Sequence, residues 1–405
     1  MKKTYIFIIA FFLFSVVNAQ DWVQQNSGTG NYLYSVCFTD ANTGYVVGSE
    51  GTILKTTDGG TTWAFQNWDI TYGLNSIYFP ETNTGYAVGW GSTGAKILKT
   101  TNGGGTWTSQ LPYSTNGLNS VFFTDTNTGY VVGGYGAILK TTNGGNLWAS
   151  LPSGTFETLY SVFFTSADTG YAVGQGQIVL KTTNGGTSWA IQHLPGADGN
   201  LFSVYFTDAN TGYAVGGKIN SVHGLIFKTT NAGADWISQE SGTGNSLQSV
   251  YFTDANTGYA VGGFNTGIIL KTTNGGTNWV SLNSGLQSAL YSVYFPQADT
   301  GYAVGENGAI LKTTNGGGVG MNDNSFSSKK VRIYPNPAYD EFTVQSTVIT
   351  GDPHISITNV DGRELIGRVI RDFKTSVDIR ALSPGVYFVK VINEKVVESC
   401  KLIKN

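Results

Sequence analysis

Apolar residues between positions 21 and 317 come in short runs, each closed by a glycine turn, and no stretch there carries a helical stripe. The first unit shows the pattern. Ser35-Val36-Cys37-Phe38 alternates polar and apolar, Asp40-Ala41-Asn42-Thr43-Gly44 has turn residues, and Tyr45-Val46-Val47 ends at Gly48. Thr52-Ile53-Leu54-Lys55-Thr56 then enters the turn Asp58-Gly59-Gly60, and a fourth run begins at Trp63. Alternation of period two, bounded by Gly, Asn and Asp, predicts four β-strands per unit. The Asx side chains can bond backbone two residues on, and glycine takes positive φ without steric cost.

The unit recurs seven times. Its Gly-Tyr pairs fall at Gly44-Tyr45, Gly85-Tyr86, Gly129-Tyr130, Gly170-Tyr171, Gly212-Tyr213, Gly258-Tyr259 and Gly301-Tyr302. Repeats of four short strands at this length point to propeller blades. The seventh copy has no tryptophan after its glycine turn, whereas Trp22-Val23-Gln24-Gln25-Asn26-Ser27-Gly28 has no turn before it and reads like Trp236 to Gly242. The expected fold is therefore all-β, a seven-bladed β-propeller over residues 20–318. The N-terminal strand closes it beside Gly308 to Thr314 and leaves no open sheet edge.

Composition fits such a fold: 55 of 405 residues are glycine and only 12% are charged. Met1-Lys2-Lys3, the apolar run Tyr5 to Val17, and Val17-Asn18-Ala19 before Gln20 have the three parts of a cleavable secretory signal over residues 1–19. No later run is long enough to span a membrane, and no cysteine follows the cleavage site to accept a lipid. Cys37 and Cys400 are expected to be free thiols, Cys37 as a small buried residue where other copies place Tyr or Phe. Residues 21–320 carry 16 acidic and 9 basic side chains, a net of −7, which makes nucleic acid a poor partner. All nine cations there are lysine.

The third turn of the unit resembles the Asp-box, or bacterial neuraminidase repeat, of pattern Ser/Thr-x-Asp-x-Gly-x-Thr-Trp. Thr56, Asp58, Gly60, Thr62 and Trp63 match it in full; Thr100, Asn102, Gly104, Thr106 and Trp107 match with Asn for Asp. The whole unit is also similar to the repeats of photosystem II stability and assembly factor-like proteins, which implies a seven-bladed propeller. A sialidase would need an arginine cluster for its anionic substrate, and neither that cluster nor the arginines of the assembly factors' binding patch exist between residues 21 and 320. Other Asp-box propellers are glycoside hydrolases that need only two carboxylates. Glu50 and Glu306, in corresponding loops of the first and seventh units, are the catalytic candidates for that alternative, an acid and base pair.

A single ligand site on a ring must be asymmetric, so positions identical in every unit read as scaffold. The lysines Lys55, Lys99, Lys140, Lys181, Lys228, Lys271 and Lys312 belong to that class. Turns such as Asp40-x-Asn42-x-Gly44 lack the closing glutamate of a calcium loop, and neither propeller histidine has a second ligand at metal spacing, so no metal or cofactor is expected. Variation concentrates in the connection between units and in the loop between the second and third strands, which lie at one end of an up-and-down sheet. The ligand-face candidates there are Trp68, Asp69, Tyr72, Trp90, Tyr113, Tyr135, Phe156, Glu157, His193, Asp198, His223 and Phe264. An aromatic-rich surface suits a glycan or a protein partner.

Residues 319–330 read as a Ser, Asn and Asp-rich linker. Val331-Arg332-Ile333-Tyr334-Pro335-Asn336-Pro337, Leu382-Ser383-Pro384-Gly385-Val386-Tyr387-Phe388 and the terminal Lys401-Leu402-Ile403-Lys404 resemble the type A sorting domain of type IX secretion. The resemblance implies a small Ig-like β-sandwich over 331–405 that engages the secretion machinery of a Bacteroidetes-type cell. The expected protein is a monomer that crosses the periplasm to become a secreted or surface-attached binding module.

Overall fold

The computed structural model describes residues 21–404, except 67–72, 92–93, 111–115, 195–198, 219–222, 319–330, 335–337, 347–353, 360–362, 370–373 and 393–396. The signal segment and the linker expected from the sequence lie outside the described residues. Contacts divide the chain into two compact units that part between Gly320 and Met321.

The first unit is all-β, and its described residues form seven four-stranded antiparallel sheets. The first sheet has an inner strand Leu33–Phe38, a second Gly44–Gly48, a third Ile53–Thr56 and an outer Ala64–Phe65. The sheet numbered seventh here has only three strands from its own repeat: Leu290–Tyr294, Gly301–Gly305 and Ile310–Thr313. Its fourth is the N-terminal strand Val23–Gln25, with Val23 opposite Lys312 and Gln25 opposite Ile310. Trp22 is fully buried there and meets Phe295 edge-on at 5.9 Å, as Trp63 meets Phe38 at 6.1 Å.

The turns obey the sequence chemistry. Asp40 Oδ1 accepts the N–H groups of Asn42 and Thr43 at 2.7 and 2.8 Å. In the third turn Asp58 accepts the Thr62 N–H (2.9 Å) and hydroxyl (2.7 Å), while the Thr56 hydroxyl accepts the Gly60 N–H (2.8 Å). Gly60 has φ +80° and lies on the Tyr302 ring, so a side chain there meets both strain and a clash.

Apolar burial lies between neighbouring sheets. Leu33, Val36, Phe38, Val46 and Leu54 of the first sheet pack with Tyr302, Val304 and Ile310 of the seventh. Polar bonds follow the same junctions. The inner-strand serine of each sheet accepts a backbone N–H from the next, from Ser35 with Ile77 to Ser249 with Val293, and Ser292 accepts from Val36. At every junction a second-strand tyrosine and a third-strand lysine donate to one carbonyl in the neighbouring third turn. Tyr45 and Lys55 reach Gly103 O at 2.8 and 2.7 Å; Tyr302 and Lys312 reach Gly59 O, both at 2.6 Å. Each ammonium also sits 5.3 to 5.8 Å from its tyrosine ring centroid. The seven lysines are scaffold.

Along the inner strands Tyr78, Phe122, Phe163, Tyr205, Tyr251 and Tyr294 form a chain of tilted rings with centroids 5.1 to 5.2 Å apart. Cys37 takes the remaining place as a buried free thiol, which burial pushes up to about 12. The side chain of Cys400 lies outside the described residues.

The second unit pairs a three-stranded sheet (Val331–Tyr334, Glu341–Ser346, Lys374–Asp378) with a four-stranded one, ordered Glu364–Val369, His354–Thr358, Gly385–Ile392, Val397–Lys404. Phe342, Val344 and Val377 of one sheet and Ile355, Ile357, Val389 and Leu402 of the other share one core. The Tyr387 hydroxyl donates back to Ser383 O at 2.7 Å and pins the entry of its strand.

Candidate functional site

Second turns and connectors share one end of each antiparallel sheet, opposite the first and third turns. At that end a cleft of about 560 Å³ opens beside the third sheet, lined by Asn116, Tyr135, Leu151, Pro152, Ser153 and Phe156. Tyr135 and Phe156 are 73% and 87% exposed. Because both rings border one cleft, they form a shared exposed apolar patch rather than scattered surface residues.

The backbone under both aromatics is repeated; the aromatics are not. Tyr135 stands at φ +53°, ψ +39°, the left-handed position that Glu50 (φ +54°) and Asn307 (φ +56°) occupy in their own second turns. The next residue, Gly136, lies against Thr155 O and Ser153 Oγ, so the turn is clamped to the connector. In that connector Ser153 Oγ donates to Thr155 O (3.1 Å), and Thr155 Oγ1 accepts the Glu157 N–H (3.0 Å). Ser27-Gly28-Thr29-Gly30-Asn31 makes the same two bonds, with glycine where the third sheet has Phe156. A shared, braced loop thus carries aromatic side chains at one station.

The other candidates distribute as follows. Trp90, 58% exposed, is the penultimate residue of the strand Gly85–Gly91, and it leans on Gly117, next in the chain to Asn116 of the cleft. Glu157 is half-buried beside Phe156, and its charge adds to the burial that raises the Tyr160 phenol. His193 is exposed and ends the outer strand Ala190–His193; it was expected in a loop but pairs with Ile178. His223 is exposed, and its carbonyl accepts the Lys218 N–H in a hairpin of the fifth sheet. Phe264 is 70% exposed at the second turn of the sixth sheet. Trp68, Asp69, Tyr72, Tyr113 and Asp198 lie outside the described residues.

Glu50 and Glu306 occupy different places in corresponding turns. Glu50 is exposed at the left-handed tip, whereas Glu306 stands one position earlier, aligned with Ser49. Both Glu306 oxygens are engaged, Oε1 by the Tyr291 hydroxyl (2.8 Å) and Oε2 by the Ala289 N–H (3.1 Å). Glu306 is thereby held as an acceptor among tyrosines. Among the described residues no group of three or more His, Cys, Asp or Glu is placed to hold a metal ion.

Inspection of the sequence overlooked one variable position. Every inner strand slips register at a single residue: Tyr34, Asn75, Asn119, Tyr160, Phe202, Gln248 and Tyr291. Such bulges re-aim side chains. The signal was present, since these seven residues vary between an invariant leucine and an invariant serine. The bulge places Tyr34 and Tyr291 5.4 Å apart, and Tyr160 and Phe202 5.2 Å apart.

Comparison with known proteins agrees with both units. Residues 332–405 match the family model of the secretion system C-terminal sorting domain, which marks the chain for type IX export to the cell surface or beyond. No helix among the described residues is long and apolar enough to cross a membrane. No curated protein is similar to this chain in sequence. Among solved structures, YCF48 bound to D1 peptide superposes with TM-score 0.61 at 20% identity, over 74% of this chain and 98% of that one. YCF48 from Cyanidioschyzon merolae gives TM-score 0.61 at 22% identity, over 72% and 98%. The GH74 enzyme of Niastella koreensis gives TM-score 0.60 at 16% identity, over 80% of this chain and 59% of that one. These likenesses establish a propeller-like fold. Residues 14–116, 108–198 and 148–240 match the model of photosynthesis system II assembly factor YCF48, together more than half of the 405 residues. The chain therefore belongs to the YCF48 assembly-factor family and ends in a secretion-system sorting domain.

Proposed function

We propose that the protein is an exported, non-catalytic binding module: a seven-bladed propeller closed by its N-terminal strand, which holds a glycan in the cleft between Tyr135 and Phe156. A signal over residues 1–19 and a removable Ig-like tail over 331–405 take it through the periplasm to the surface or medium. Closure is supported by the Ser292 bond to Val36 and by the reach of Tyr302 and Lys312 to Gly59, which repeat between seventh and first sheets what joins every other pair. The observation that carries the ligand reading is the pair of exposed aromatics on a braced loop that elsewhere holds glycine, glutamate or asparagine. Flat rings at a cleft edge cover the C–H face of a sugar, and the polar side chains of Asn116, Ser150 and Ser153 line the same cleft.

The chain matches a solved YCF48 that holds a D1 peptide, but it lacks arginine throughout residues 21–320, which weighs against a photosystem role. Hydrolysis is disfavoured because Glu50 is exposed at its turn's tip while both Glu306 oxygens are already bonded, and neither residue borders the cleft between Tyr135 and Phe156. A glycan array read beside a reducing-sugar assay on the same polysaccharides tests the reading. Binding without sugar release is expected; release on any bound polysaccharide overturns it in favour of a glycoside hydrolase.

A further inference from the structure

Where the first and seventh sheets adjoin, three phenol rings surround the region of Glu306. Tyr34 and Tyr291 lie 5.4 Å apart, and Tyr32 is 6.5 Å from each. Tyr32 is 42% exposed and the other two are half-buried, so ring faces remain open to solvent. The interplanar angles are 83°, 50° and 52°, so no two rings share a plane. A flat sugar ring finds no platform there. A compact group approached by several π faces does.

Charge narrows the choice. The two donors on Glu306, a phenol and a backbone N–H, are both neutral, so they orient its charge without cancelling it. Among the described residues the one ion pair joins Arg380 to Asp378, in the other unit. Among the described residues no lysine or arginine of the first unit stacks on these three rings. Seven of the nine lysines in residues 21–320 are bonded to third-turn carbonyls, and Lys96 and Lys218 belong to the second and fifth sheets. Those seven also show what this fold does with tyrosine, since each ring has an ammonium within 5.8 Å. The Tyr32, Tyr34 and Tyr291 rings have the aromatic half of that arrangement, a carboxylate in addition and, among the described residues, no lysine.

We propose that Tyr32, Tyr34, Tyr291 and Glu306 form a binding site for an organic cation, the ammonium or guanidinium of a lysine or arginine side chain on a protein partner. The cation sits over the open ring faces and takes the free lone pairs of the Glu306 carboxylate. The site is separate from the cleft at Tyr135 and does not depend on the glycan reading.

The test titrates the full-length protein with N-acetyl-lysine amide, N-acetyl-arginine amide, n-butylammonium, the peptide Gly-Gly-Lys-Gly-Gly and, as neutral control, N-acetyl-norleucine amide, followed by tyrosine fluorescence and NMR. The cationic probes are expected to bind and the control to be silent. A peptide tighter than butylammonium supports a protein partner; equal affinities support the cation site with a small amine as occupant and overturn the protein-partner assignment. Glu306→Gln should weaken binding by about fivefold or more, and Tyr32→Ala, at an exposed position, by about threefold. Tyr135→Ala with Phe156→Ala should leave it unchanged. No response to any cationic probe, or equal response to the norleucine control, overturns the proposal, as does binding that survives both Glu306→Gln and Tyr32→Ala.

Discussion

The ammonium of Lys312, in the third strand of the last repeat, donates to the carbonyl of Gly59 in the first repeat at 2.6 Å, across 253 positions of sequence. The same carbonyl accepts the Tyr302 hydroxyl, so the first and last repeats are joined by the bonds that join consecutive ones. Lys312→Met keeps the stem and deletes the donor. It should cost about 1.5–3 kcal/mol, the scale of a hydrogen bond from a charged group. Denaturant unfolding of the variant checks this; an unchanged midpoint would show that the junction does not hold the first sheet.

The N-terminal strand makes the companion prediction. Trp22 is fully buried against Tyr259 and Phe295, so Trp22→Ala should cost about 3–5 kcal/mol. Deleting residues 21–27 should destabilise further, because the edge of Ile310–Thr313 loses its partner strand. Thermal melts that coincide with the parent for both variants contradict closure by this strand.

How much of this was legible in the sequence depends on whether a feature repeats. Glycine turns, the Asx bonds of Asp40 and Asp58, and the scaffold lysines recur, so comparison of the chain with itself isolated them. The serine bonds between sheets were invisible, because Ser35 and Ile77 become neighbours only when sheets pack. The bulge at Tyr34 was missed because strict alternation was assumed where one residue is inserted. Sequence correspondence places Glu50 and Glu306 in like loops, whereas a one-residue offset sends one carboxylate to solvent and the other onto Tyr291.

Acid should reveal Asp58. Its bonds from Thr62 and Thr56 hold its carboxyl down at about 2, below the ordinary 3.8. A depressed carboxyl contributes stability above its unfolded pKa and loses it as pH falls through the folded one. Asn occupies this position in the other six turns, so Asp58→Asn should fold normally. Its stability deficit against the parent should shrink between about pH 4 and pH 2. A deficit constant across that window contradicts the assignment.

Alkali should act through the second-strand tyrosines. Burial pushes Tyr45, Tyr86, Tyr130, Tyr171, Tyr213 and Tyr302 up to about 12 from 10.0. A raised phenol contributes stability that is complete below pH 10 and lost as pH climbs through the folded value. Stability should therefore fall steeply between pH 10 and 12, with phenolate absorbance and unfolding arriving together. Tyrosines that ionise near pH 10 in a still folded protein contradict this.

Export should depend on the tail and folding should not. In a host competent for type IX secretion, truncation after Gly320 should leave a folded first unit in the periplasm, while the intact chain reaches the surface or medium. Fractionation with an antibody to the first unit checks the location. Truncated protein outside the cell in normal amount contradicts the role of residues 332–405.

The most direct test of the binding account is calorimetric titration of the strongest array glycan into the parent and into the Tyr135→Ala, Phe156→Ala double variant. Both side chains are exposed, so the double variant should keep the parental melting temperature. The account predicts a loss of affinity of about tenfold or more at unchanged fold, since each stacking ring contributes on the order of 1 kcal/mol. Equal affinity of the two proteins would contradict it.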